Sequence, residues 1–161
     1  MKQLVIVILL TLVSITAFGQ VSANQSANAN LTVNSGINLA VTGSVVFGTV
    51  VQGAGSTINA ATAPVASVAA FTTSAAPSTA MTVTYSNTSL TSGSNTLTWT
   101  PSLVGTATAA SRATAPTITS GGSVTTNTSG NFYFWLGGSV STATSTPSGT
   151  YSGTFTLTVA Y

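Results

Sequence analysis

The chain has 161 residues, of which two are basic (Lys2 and Arg112), and it contains no Asp, Glu, His or Cys. Ordinary domains are about a quarter charged. A charged fraction of 1% beside a hydrophobic fraction of 43% excludes nucleic-acid binding by phosphate neutralisation and removes the side chains that acid–base catalysis and metal ligation draw on. Neither an enzyme nor a cofactor or metal site is expected, and without cysteine there is no disulfide framework.

Met1-Lys2-Gln3, an apolar run at residues 4–13, and small residues at Ala17 and Gly19 read as a secretory signal peptide over residues 1–19, cleaved after Gly19. The apolar run is shorter than the roughly 18–20 residues that span a bilayer, so no membrane span is expected after cleavage. Arg112 is then the one charged side chain left, expected as a solvated loop cation. Residues 20–34 alternate strictly. Val21, Ala23, Ala27, Ala29, Leu31 and Val33 share one parity with Gln25, and Ser, Asn and Thr take the other. This segment is an N-terminal extension or an exchangeable strand. Leu31 and Val33 are its candidate assembly anchors, and pairing within the chain and pairing with a second copy both remain open.

From residue 35 short strand patterns follow one another. Residues 37–41 alternate, 45–51 (Val-Val-Phe-Gly-Thr-Val-Val) is a β-rich run, and 56–60 is a short strand. Residues 65–72 are Ala-rich, but Val65, Val68, Phe71 and the flanking Thr favour a strand. Residues 80–85 and 96–100 alternate, and Pro101 is expected to end the latter. Residues 103–123 hold few bulky side chains and read as a long loop with one short strand at 117–119. The aromatic run Asn131-Phe132-Tyr133-Phe134-Trp135-Leu136 has large residues on both parities, which predicts a central strand covered on both faces. After the Pro147-Ser148-Gly149 turn signal, Tyr151, Phe155, Leu157, Val159 and Tyr161 alternate with small polar residues in a last strand over 151–161. Strands of about five residues separated by Gly/Ser/Asn turns every 8–12 residues predict an all-β fold, an antiparallel β-sandwich over residues 35–161.

Val46-Phe47-Gly48, Ala69-Ala70-Phe71, Met81-Thr82-Val83-Thr84-Tyr85, Leu136-Gly137-Gly138-Ser139-Val140 and the Gly149–Tyr161 ending, with its Gly-x-Tyr-x-Gly opening, together resemble the domain-of-unknown-function 4402 (DUF4402) family of secreted bacterial proteins over roughly residues 37–161. The ending also resembles spore-coat-U-like domains and chaperone–usher pilins. Those relatives imply an immunoglobulin-like sandwich and surface assembly, and they supply no catalytic residue. The chain departs from typical pilins in lacking their Cys pair and their charged residues.

The expected function is therefore a secreted structural or assembly subunit, at the cell surface of a bacterium or in an extracellular filament or matrix, reached via the periplasm. Its partner would be a second copy of itself, paired by strand addition. Near-zero charge promotes association, and the strand edges lack the Lys and Pro that usually blunt them. The alternative is a carbohydrate-binding or adhesin-like module in which Trp99, Tyr133 and Trp135 stack on a glycan; strand aromatics are more often core. Few groups titrate, so stability is expected to be nearly flat from about pH 4.5 to 9.

Overall fold

The computed structural model describes residues 36–86 and 89–161. The predicted signal peptide, residues 20–34, and with them Leu31 and Val33, lie outside the described residues. The described chain forms β1 (Asn38–Thr42), β2 (Gly55–Ile58), β3 (Ala69–Ser74), β4 (Ala80–Tyr85), β5 (Ser89–Ser92), β6 (Asn95–Thr106), β7 (Gly122–Thr125), β8 (Asn131–Ser141) and β9 (Leu157–Ala160). Two short 3-10 turns, Val65–Ser67 and Ala109–Thr114, complete it.

The strands make two antiparallel sheets. The larger has the order β1-β3-β8-β6-β5, with β2 also paired to β8; the smaller is β7-β4-β9. β8 is the centre. One of its edges carries β3 (Phe71 opposite Phe134) and then β2 (Thr57 opposite Ser139), and the other carries β6 (Leu103 opposite Leu136). Its alternation explains this position. Phe132, Phe134, Leu136 and Val140 point between the sheets, onto Met81, Val83, Val124 and Leu157 of the smaller sheet. Trp135, on the other parity, packs outside with Ala60, Val68 and Val104, and Tyr133 lies against the same cluster. The antiparallel sandwich and the two-faced central strand agree with the sequence. Burying a side chain such as Phe134, which is fully enclosed, contributes about 1.5–3 kcal/mol.

Three local expectations are corrected. Pro101 does not end its strand, because β6 runs on to Thr106. On the edge of β6 away from β8, β5 covers only Asn95–Thr98. Beyond it the 116–118 segment binds the same edge: Gly105 N–H donates to Pro116 O and Ile118 N–H donates to Leu103 O. Pro101 falls between these neighbours, where no ladder asks for its missing N–H. For the same reason residues 103–106 are strand rather than loop. Residues 65–67 form a 3-10 turn before β3 begins at Ala69, since Pro64 sets up a turn that propensity alone does not register.

Gly138, in the Gly-Gly pair of β8, has φ +140°. A Cβ there would collide with the Thr100 carbonyl and the indole nitrogen of Trp99, so backbone and indole meet where only Gly fits.

Candidate functional site

One side of the sandwich is open. Its floor is the inner face of the larger sheet, with Phe71, Trp99, Leu136 and Val140, and the opening has a volume of about 910 Å³. Residues 43–50 line one side of it and residues 146–155 the other. Phe47 from the first wall meets Trp99 edge-on at 6.2 Å. Phe155 from the second wall meets Trp99 at 5.8 Å and Tyr85 at 5.4 Å. The groove is apolar at its base and, in a chain without acids, uncharged throughout.

Both walls read as strands in the sequence, and neither is a regular strand in the fold. Residues 45–51, a β-rich run, lie outside any ladder. Their backbone ties are few. Val46 N–H donates to Ser67 O at 3.2 Å, Phe47 O accepts from Ser56 Oγ, and Val51 O accepts from Ala54 N–H and Thr142 Oγ1. Gly48 has φ +71°, which breaks the pleat in mid-run. The last strand is likewise shorter than expected: β9 begins only at Leu157. Ahead of it, Ser152 pairs with Thr91: Ser152 N–H donates to Thr91 O at 3.0 Å, and Ser152 O accepts from Thr91 N–H at 2.7 Å. Carried on unbroken, the β4–β9 register, which sets Tyr85 opposite Leu157, would place Thr91 opposite Tyr151; the bridge to Ser152 is one residue further. Ser152 and Leu157–Ala160 therefore pair along one edge, the first with β5 and the rest with β4, and residues 153–156 between them are outside any ladder.

Among the described residues, the backbone groups of Gly48, Thr49 and Val50 on one wall, and of Gly153, Thr154 and Phe155 on the other, have no hydrogen-bond partner. Backbone donors and acceptors are obligatory hydrogen-bonding groups, and here two runs of them flank an apolar floor. Val41, in β1 beside the first wall, and Val46 on that wall are 62% and 50% exposed, and exposed apolar side chains gathered at one place mark interaction surfaces.

The family model described as Domain of unknown function (DUF4402) matches residues 11–161. The chain belongs to that family. The match begins at residue 11 rather than near residue 37, so residues 20–34 belong to the stretch that the DUF4402 model describes. No curated protein and no solved structure matches the chain, and the spore-coat-U-like and pilin-like likenesses rest on the sequence motifs alone.

In this DUF4402 domain the three candidate stacking rings do not form one platform. Trp99 is buried on the inner face, at the groove floor. Tyr133 and Trp135 stack on the outer face, 6.4 Å apart and 22° from parallel, with Trp135 buried and Tyr133 half-buried. Arg112, expected as a solvated cation, is half-buried and occupied: Nε donates to Ala60 O and Nη2 to Ala63 O, each at 2.8 Å, and the guanidinium sits 6.0 Å above the Trp135 ring. Burial lowers its pKa from the ordinary arginine value. It acts as a clamp, holding the 60–63 loop over the outer cluster. The groove itself was missed by sequence reading. Its one available signal was a pair of strand-patterned segments, at 45–51 and 151–156, that the fold leaves without partners on one side.

Proposed function

We propose that this DUF4402 protein is a secreted structural or assembly subunit, working at a bacterial cell surface or in an extracellular filament or matrix, that self-associates by strand addition. One observation carries the reading: the groove between two strand-patterned segments, each with a run of backbone groups, at 48–50 and 153–155, that have no partner among the described residues. A volume of about 910 Å³ is also compatible with a small-molecule pocket, for which about 300–1,000 Å³ is usual. The walls favour the strand reading, because a small ligand leaves their runs of backbone groups unmatched, whereas an added strand pairs them and sets alternate side chains on the floor.

Composition supports the same reading. With Arg112 clamped and no acid anywhere in the chain, copies are not held apart by charge. No described helix is long and apolar enough to cross a membrane. The reading includes no catalysis, since Asp, Glu, His and Cys are all missing. The test is export of the full chain with its own leader, followed by intact mass, light scattering across a concentration series and electron microscopy. Oligomers or filaments lacking residues 1–19 are expected; a protein that stays monomeric at every concentration overturns the proposal.

A further inference from the structure

We infer that the groove is the acceptor for residues 20–34 of a second copy, with Leu31 and Val33 seated on the aromatic floor between the two walls. This rests on the strand-addition reading above and names its partner and its site.

Three observations select this occupant. First, the groove asks for an extended, uncharged segment with apolar residues at every second position, because its floor is apolar and its walls carry runs of backbone groups without partners among the described residues. Residues 20–34 have that pattern, interrupted at Gln25 and unbroken from Ala27 to Val33, and carry no charge. Their one pair of bulky residues on a single parity beyond Val21 is Leu31 and Val33, spaced for one face of a strand. Second, the family match extends to residue 11, so this segment falls within the DUF4402 stretch together with the sandwich that contains the groove.

Third, chain direction separates a donor in trans from one in cis. β1 pairs with β3 so that Asn38 lies opposite Ser74 and Thr42 opposite Ala70. The groove is lined by Val41 and Gly43, and by Ala69 and Phe71, at the far end of β1. The preceding chain thus joins β1 at the end away from the groove, and residues 20–34 of the same molecule must double back to approach it. The tightest reversal, a two-residue hairpin turn at Ser35-Gly36, sets Val33 opposite Asn38 and Leu31 opposite Ala40, both short of the groove. Only Ala29, Ala27 and residues before them then come level with it, and alanines are poor anchors. A segment from a second copy carries no such tether, and its Leu31 and Val33 reach the floor. The exposed Val41, beside the first wall, and Val46 on that wall are the apolar surface that the incoming strand covers.

The chain has no cysteine, so thiol mapping tests this in the full-length protein. Asn30→Cys, Thr32→Cys and Asn34→Cys lie on the parity opposite the anchors and leave Leu31 and Val33 in place. Each is mixed with a copy carrying Thr154→Cys, an exposed groove-wall residue, or with a control copy carrying Thr125→Cys on β7, at the other edge of the smaller sheet. Linked chymotryptic peptides are then quantified by mass spectrometry. One donor position should link to Thr154→Cys at least about tenfold more than to the control, because a docked segment holds the thiols at a high effective concentration. Leu31→Asn with Val33→Asn should abolish that link and the oligomer while tryptophan fluorescence and circular dichroism stay native. If intact chains assemble but no donor position links above control, the groove is not the acceptor, while the strand-addition subunit survives. If a chain carrying both thiols links only within itself, the donor acts in cis and the inference fails. If the unmodified chain never assembles, the proposed function falls, and this inference with it.

Discussion

β8 and the two groove walls are alike in sequence and opposite in the fold. Residues 131–136 are mostly aromatic and residues 45–51 mostly β-branched, and both compositions favour strands. β8 finds ladder partners along both edges and presents large residues to both faces, so most of its backbone is paired and Phe132, Phe134 and Trp135 are buried. Residues 45–51 and 153–156 find no ladder partner, and their hydrophobic residues are only partly covered. A strand pattern is therefore a statement of capacity. Whether the capacity is used depends on a neighbour at hydrogen-bonding distance, about 4.8 Å away, and among the described residues one stretch on each side of the opening has no such neighbour.

Removing the ring that β8 buries most deeply gives the largest expected effect. Phe134→Ala should cost about 3–5 kcal/mol, read as a large drop in denaturant midpoint at unchanged slope; a loss below about 1 kcal/mol would mean that β8 is not the centre of the core. Arg112→Met keeps much of the side-chain volume over Trp135 but orphans the Ala60 and Ala63 carbonyls. A loss of about 1–2 kcal/mol is expected, together with faster amide exchange in residues 60–63. A solvated arginine would show neither.

The walls should respond differently. Thr154→Pro removes an N–H that has no partner among the described residues, so the monomer should lose less than about 1 kcal/mol, whereas Tyr133→Pro in β8 should cost about 3 kcal/mol or more. Equal losses at the two positions would show that the wall is paired after all. The smallest expected effect is that of pH. No Asp, Glu, His or Cys is present. The pKa of Arg112 is lowered by burial, so well below that value both the folded and unfolded states hold its proton and its contribution is constant. Stability gains from this group only as pH rises through the lowered value, in strongly alkaline solution. Denaturant midpoints should shift by less than about 1 kcal/mol between about pH 4.5 and 9, and a larger shift would reveal a titrating group that the composition does not suggest.

The sequence by itself determined the class of the fold and the identity of its central strand. Period-two alternation, Gly/Ser/Asn turns and the absence of long helical patterns leave only an antiparallel β architecture, and large residues on both parities of residues 131–136 demand cover on both faces. Both follow from local patterns that each segment carries alone. Only the tertiary structure decided which strand-capable segments are paired, how β6 passes through Pro101, and where Arg112 spends its hydrogen bonds. Each of these depends on what lies on the far side of an edge: β5 and the 116–118 segment stop short of Pro101, the 60–63 loop folds over Trp135 to meet a distant guanidinium, and residues 45–51 and 153–156 have an apolar floor beneath them and no described strand between them. Edge partners come from residues far apart in the chain, whose meeting is set by global register and loop closure, and local periodicity carries no record of it.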